Sequence, residues 1–344
     1  MAQKAHAGEG VATAEATTTA MLGWAVLLDD LLARRLLVLS GKGGVGKSLM
    51  GTALAVAAQR RGKRVLLVEV DTPPVAEASR FLGGSPVGGE ERELRPNLLA
   101  VNLDPPRVMD DYVRHVVRAD FLARRVLDSP IYHRFFAAAP GLPELMVLGK
   151  IMTLEDARAG WGRKPRYDLI VLDAPATGHG LSFLKVPQTA VETAPVGPLG
   201  ANARRVLSLL RDPLRTALVV VAVPEEMAVV EALEFHRQAT EQVGMSARAV
   251  LLNACHERRF TKAQEAEILR LTAEEATGTL AGGIDLGAAL GAARRLLRRE
   301  RMTRFYQGRL KRALALPILS LPFLFQEQIG PAQVELLADR IEAA

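Results

Sequence analysis

The sequence predicts an α/β protein built as a mostly parallel, doubly wound sheet with a helical subdomain inserted. Three observations carry that expectation. Short apolar runs of strand length recur at residues 36–40, 64–70, 98–103, 167–173, 217–223, 249–253 and 314–321. Helix-forming stretches separate them, the alternation that builds a parallel sheet. From 104 to about 161 the helical periodicity runs too long for a simple crossover.

Taken in order, residues 1–20 are rich in Ala, Thr and Gly and read as a disordered leader, with 21–344 as a single domain. Residues 21–35 place leucines at helical spacing before the first strand. That strand, Leu-Leu-Val-Leu-Ser, runs into Gly41-Lys-Gly-Gly-Val-Gly-Lys-Ser48 and then into helix formers from Leu49. Gly41, Gly46, Lys47 and Ser48 satisfy G-x-x-x-x-G-K-[ST]. Gly41, Gly43, Gly44 and Gly46 permit dihedrals that turn successive backbone N–H groups, Val45 included, onto phosphates, and the following helix aims its positive end at the same anion. Lys47 adds charge at the β- and γ-phosphates, and Ser48 offers a hydroxyl to Mg2+. A nucleoside triphosphate with Mg2+ is therefore the expected ligand. The residues alone leave Lys42 open between a surface lysine and a second phosphate contact.

The second strand ends at Asp71, where a carboxylate orients an attacking water or caps the residues after Pro73-Pro74. Residues 83–96 read as a Gly/Pro/Glu-rich loop. The helical block that follows breaks at 128–130 and 140–141, and 185–213 reads as its second flank. It carries Met109, Phe121, Phe135, Phe136, Leu142, Leu145, Met146, Leu148, Ile151 and Met152. Such a set is core by default, and a methionine-bearing groove for an apolar helix is the alternative. The strand Tyr-Asp-Leu-Ile-Val-Leu-Asp delivers Asp173 beside the phosphate loop, where it polarises the Mg2+ shell. Thr177, Gly178 and His179 follow in a glycine-flanked stretch suited to a loop that rearranges with the γ-phosphate. Asn253 ends a strand and suits either a base edge or a turn. The arginine run from 294 to 304 lies on a helix as a solvated face.

Composition narrows the classes. Net charge is +6, and aromatics at 5% are too sparse for the basic–aromatic interleaving of a nucleic-acid surface, so no nucleic acid is expected. The single cysteine, Cys255, forms no disulfide within the chain and fits a reducing cytoplasm. No apolar run reaches the ~18 residues of a membrane span.

These motifs in this order resemble the arsenite-pump ATPase (ArsA) and guided-entry tail-anchored-protein targeting ATPase family over residues 36–340. Lys42 resembles the extra lysine of the deviant Walker A loop shared with ParA, MinD and the nitrogenase iron protein. Asp173-Ala-Pro-Ala-Thr-Gly-His-Gly is similar to the family's switch II, D-T-A-P-T-G-H-T. Asn253 falls where the family contacts adenine, and Pro322-Phe323 begins a stretch that resembles its adenine-side loop. Asp71 falls at the switch I aspartate. The resemblance implies a Mg2+-dependent, cytoplasmic ATPase closing as a dimer around ATP, with Lys42 reaching the partner's phosphates. The dimer is a homodimer, or a heterodimer with a related chain. Its implied partners are an apolar helix of a membrane protein or, alternatively, a membrane transporter subunit taking an arsenite-type anion; a ParA/MinD-like positioning ATPase is the further alternative. Departures are visible as well. Switch I is Asp71-Thr-Pro-Pro-Val rather than D-P-A-H-S/N, the C-x-x-C zinc pair is absent, one cysteine cannot reproduce a multi-cysteine metalloid site, and the chain holds one phosphate loop.

Overall fold

The computed structural model describes residues 23–344 apart from 71–76, 118, 131, 133, 135–138 and 160–163. Asp71, Phe135, Phe136, Trp161 and the stretch read as a leader lie outside the described residues. Eight strands form one sheet: β1 (Leu36–Ser40), β2 (Val65–Val70), β3 (Arg92–Arg95), β4 (Leu98–Leu103), β5 (Leu169–Asp173), β6 (Thr216–Ala222), β7 (Ala247–Cys255) and β8 (Ile318–Pro322). Their order is β8-β7-β6-β1-β5-β2-β4-β3. Every pairing is parallel except β3 with β4. From β1 the chain crosses to β2 and leaves a slot that β5 later fills, and after β5 it builds outward on the other side of β1. This reversal of winding puts the crevice of an open parallel sheet at the carboxyl ends of β1 and β5.

The alternation of side chains along β1 explains the two layers. Leu37 and Leu39 face helices α1 (Trp24–Leu32), α2 (Lys47–Arg60), α3 (Glu77–Leu82) and α12 (Pro331–Glu342). Leu36 and Val38 face α6 (Leu142–Asp156), α7 (Thr177–Thr193), α8 (Gly197–Arg211) and α9 (Glu226–Gln238). With both faces covered, the central strands are apolar throughout rather than alternating. Each fully buried leucine or valine contributes about 1.5–3 kcal/mol of burial free energy.

Helices α4 (Pro105–Val116) and α5 (Asp120–Leu127) extend from this second layer, while Leu145, Met146, Leu148, Ile151 and Met152 of α6 lie in the core against the sheet. Phe121 on α5 is 70% exposed. Two further helices, α10 (Lys262–Ala273) and the 28-residue α11 (Leu286–Ala313), lie between β7 and β8 in sequence. Two expectations need correction. The stretch read as a loop contains β3, a short charged edge strand that turns back through Asn97 at φ +65. Thr177, Gly178 and His179 begin helix α7 instead of forming a loop. Gly180 makes this possible, because a Cβ there would stand 2.5 Å from the Pro175 carbonyl oxygen. The same helix runs through Pro187 to Thr193, into the stretch read as the second flank of the helical block.

Candidate active site

The phosphate loop leaves β1 and enters α2, as its glycines require. Gly46 sits left-handed at φ +88 as the N-terminal cap of α2, and a Cβ there would meet Asn253 Nδ2 at 2.5 Å. Gly41 is fixed by a different neighbour: its Cβ would collide with the carbonyl oxygen of Val221 on β6. Val45 and Leu49 are only 2% and 8% exposed, so their side chains anchor the loop and their backbone alone remains for a phosphate. Lys47 folds back so that its ammonium donates to the Lys42 carbonyl at 3.3 Å. Burial holds the Lys47 pKa below the ordinary lysine value, with the Asp173 charge opposing that shift.

Parallel pairing sets Asp173 level with Leu39 at the end of β1, which brings its carboxylate to the start of α2. Ser48 Oγ donates to Asp173 Oδ2 at 2.5 Å. The other oxygen, Oδ1, is buried and has no hydrogen-bond partner. Burial pushes the Asp173 pKa up to about 6, with the Ser48 hydrogen bond and Lys47 pulling the other way. A hydroxyl and a buried carboxylate with an unused oxygen form a hard-oxygen set, and this fits Mg2+ with its retained waters. The charge of the ion would also relieve the desolvation that raises Asp173.

On the opposite side, Asn253 Nδ2 donates to the Val45 carbonyl at 2.9 Å. The side chain therefore braces the phosphate loop. Pro322 ends β8, and the Phe323 N–H donates to the Cys255 carbonyl at 2.9 Å. The Phe323 ring stacks on His256 with centroids 4.8 Å apart, Phe325 meets both edge-on, and Arg259 lies 4.9 Å above Phe325. The cluster of His256, Phe325 and Arg259 escaped the sequence reading. Its only signal was proximity in sequence to Asn253 and Phe323.

Lys42 points to α9, where its ammonium pairs with Glu231 at 3.0 Å, each side chain about a third exposed. Glu69, also missed, is buried on β2 level with Asp173 and accepts the N–H groups of Glu77 and Ala78, fixing the start of α3. The structure thus brings Lys42, Lys47, Ser48, Asp173 and Asn253 around one loop, with Gly178 in the first turn of α7 and Pro322-Phe323 on the β7–β8 side. A separate groove of about 730 Å3 opens between α4, α6, α7 and α8. Met109, Tyr112, Leu145, Met146, Val186 and Leu199 line it.

Comparison with known proteins agrees with this geometry. Residues 34–194 match the family model described as anion-transporting ATPase. The ATPase BagA of Mycobacterium tuberculosis is 30% identical over 223 residues, 62% of this chain and 62% of that protein. The chain therefore spans less than two thirds of that relative's length. A putative arsenical pump-driving ATPase of Halobacterium salinarum is 27% identical over 64% of this chain and 35% of its own length. The ATPase GET3 of Malassezia globosa is 25% identical over 62% of this chain and 70% of its own. The phosphate loop, Asp173 and the helix that follows all lie inside the matched stretch, so residues 34–194 are similar to the ArsA/GET3 family of ATPases.

Proposed function

We propose that this chain is a Mg2+-dependent ATPase that closes as a dimer around ATP and shields an apolar helix of a membrane protein. The observation that carries the ATPase reading is the Ser48–Asp173 pair, with Asp173 Oδ1 left unpartnered at the mouth of the phosphate loop. Ser48 and Asp173 would hold Mg2+, which when bound neutralises charge between the β- and γ-phosphates. Backbone N–H groups from Gly41 to Leu49 cradle the phosphates, and Lys47 swings from the Lys42 carbonyl to the same anion. Lys42 serves the partner's phosphates once it leaves Glu231, and Asp71 orients the attacking water. Asn253, Pro322 and Phe323 border the base, while Thr177, Gly178 and His179 report the γ-phosphate through the start of α7. These are positioning and electrostatic roles, which is what phosphoryl transfer chiefly demands.

The groove supports the client reading, because methionine, leucine and valine beside a half-exposed tyrosine suit apolar helices of varied sequence. No helix among the described residues is long and apolar enough to cross a membrane. A cytoplasmic homodimer is the simplest arrangement; a heterodimer with a related chain uses the same contacts. The relatives named as pump-driving ATPases suggest a second reading, the energising subunit of an anion transporter. Against it, Cys255 is the only cysteine, and burial raises its thiol to about 11, which suppresses the thiolate that a metalloid requires.

The test is size-exclusion chromatography with light scattering on the protein and a labelled apolar helix, with ADP, with an ATP analogue, and with Lys42→Ala. The expected result is co-elution with a dimer only in the ATP-like state, lost in Lys42→Ala. A dimer that forms with the analogue but never retains the helix overturns the client reading and keeps the ATP-closed dimer. No dimer under any condition overturns both.

A further inference from the structure

We propose that the groove between α10 and α11 docks an acidic protein segment that also carries apolar side chains. The groove is a concavity of about 700 Å3, within the usual range for binding clefts. Four arginines, Arg294, Arg295, Arg298 and Arg301, line it together with Leu269 and Phe305. The helix that presents them is held firmly from behind. Leu290, Leu297 and Leu310 of α11 are buried, and Glu300 and Thr303 accept the backbone N–H groups of Arg259 and His256. The arginine face therefore has a fixed direction away from the core.

Three features point to a partner and to its chemistry. Among the described residues, Arg294, Arg295 and Arg298 make no hydrogen bond or ion pair. They crowd onto one helix face, Arg298 lying one turn beyond Arg294 and Arg295, where like charges destabilise the helix until an anion relieves them. The fourth, Arg301, shows which anion fits: it holds the Glu265 carboxylate of α10 at 2.6 Å. Arginine forks match carboxylates in two-point geometry, and lysine is absent from the lining. Finally, Phe305 is 59% exposed and Leu269 is 38% exposed beside these cations. A purely ionic ligand leaves both wet, whereas a segment with Leu or Phe among its acidic residues covers them.

The test uses fluorescence anisotropy with a labelled short helix of Glu and Leu in an Ala background. The competitors are the same peptide with Lys for Glu, phosphatidylserine vesicles, and a single-stranded oligothymidylate. The acidic peptide is expected to bind, to weaken as salt rises, and to lose about tenfold or more in affinity in Arg294→Glu/Arg298→Glu. The Lys peptide is expected not to bind, and Phe305→Ser to weaken the acidic peptide severalfold. Arg294→Gln/Arg298→Gln replaces the charge-reversed pair if that pair lowers the melting midpoint. Absence of binding by the acidic peptide, binding unchanged in both double variants, or tighter binding of vesicles or oligothymidylate overturns the proposal.

Discussion

Asn253→Ala separates two roles for one side chain. At the end of a strand bordering the phosphate loop, an asparagine amide can read a base edge or hold the loop. In the structure its Nδ2 donates to the Val45 carbonyl at 2.9 Å, beside a left-handed Gly46 that leaves no room for a Cβ. Val45 is 2% exposed, so water has poor access to the carbonyl left behind. Leaving a buried acceptor unsatisfied costs about 1–3 kcal/mol. If the loop carries that penalty in its binding-competent shape, ligand affinity falls by about 5- to 150-fold, at 1.4 kcal/mol per tenfold. The assay is calorimetric titration of ADP, GDP and tripolyphosphate into wild type and variant. A brace weakens all three by the same factor, because tripolyphosphate has no base. Loss confined to ADP refutes the brace and assigns Asn253 to the adenine. An unchanged affinity for all three refutes both roles.

Asp173→Asn keeps the shape of the side chain and removes its charge. It should abolish the Mg2+ dependence of nucleotide affinity, measured by titration with and without Mg2+; a variant still strengthened by Mg2+ removes Asp173 from the metal site. Arg60→Ala breaks hydrogen bonds from α2 to Glu335, Asp339 and Glu342 on α12. The loss should be about 1 kcal/mol, a fall of about 2 °C in melting midpoint by scanning calorimetry, and no change assigns the helix contact to packing alone. Stability should also depend on pH through His236, held below its ordinary 6.5 chiefly by burial, against Glu241. Below pH 6.5 the unfolded chain binds a proton that the folded chain refuses, so this contribution is lost as pH falls. Asp173 has the opposite sign: raised from 3.8 to about 6, it makes the folded chain the better proton acceptor between those values, so its contribution grows as pH falls. His236→Gln should therefore flatten the decline in denaturation midpoint between about pH 7 and 6, and a steeper decline contradicts the assignment.

The sheet was legible because its central strands are buried on both faces and so read as unbroken apolar runs. β3 was not, since Arg-Glu-Leu-Arg on an edge needs only backbone pairing to β4 and carries no burial pattern. The phosphate loop and Asp173 were readable because their chemistry demands fixed residue types at fixed spacing. The start of α7 was not readable: Thr-Gly-His-Gly has poor helix propensity, and the fit of Gly180 against Pro175, which only a residue without a Cβ allows, carries no local pattern. The Lys42–Glu231 pair spans nearly two hundred residues, and no local pattern announces such a contact. The same holds for His256 over Phe323, which meet only because β7 and β8 are neighbours.

Helix α12 has a consequence for how the molecule is made. Arg60 at the end of the phosphate-loop helix meets Asp339, 279 residues downstream, and the Trp24 indole donates to the Ile341 carbonyl across 317. Val334, Leu337, Ala338 and Ile341 complete the core around α1 and α2. During synthesis the nucleotide-binding half therefore emerges with one wall open and stays so until residues 331–342 leave the ribosome. Contacts of such high sequence separation fold slowly, and the exposed leucines of α1 are a target for chaperones in the interval. The order of translation thus runs opposite to the order of need: the first motif to appear is among the last to be enclosed.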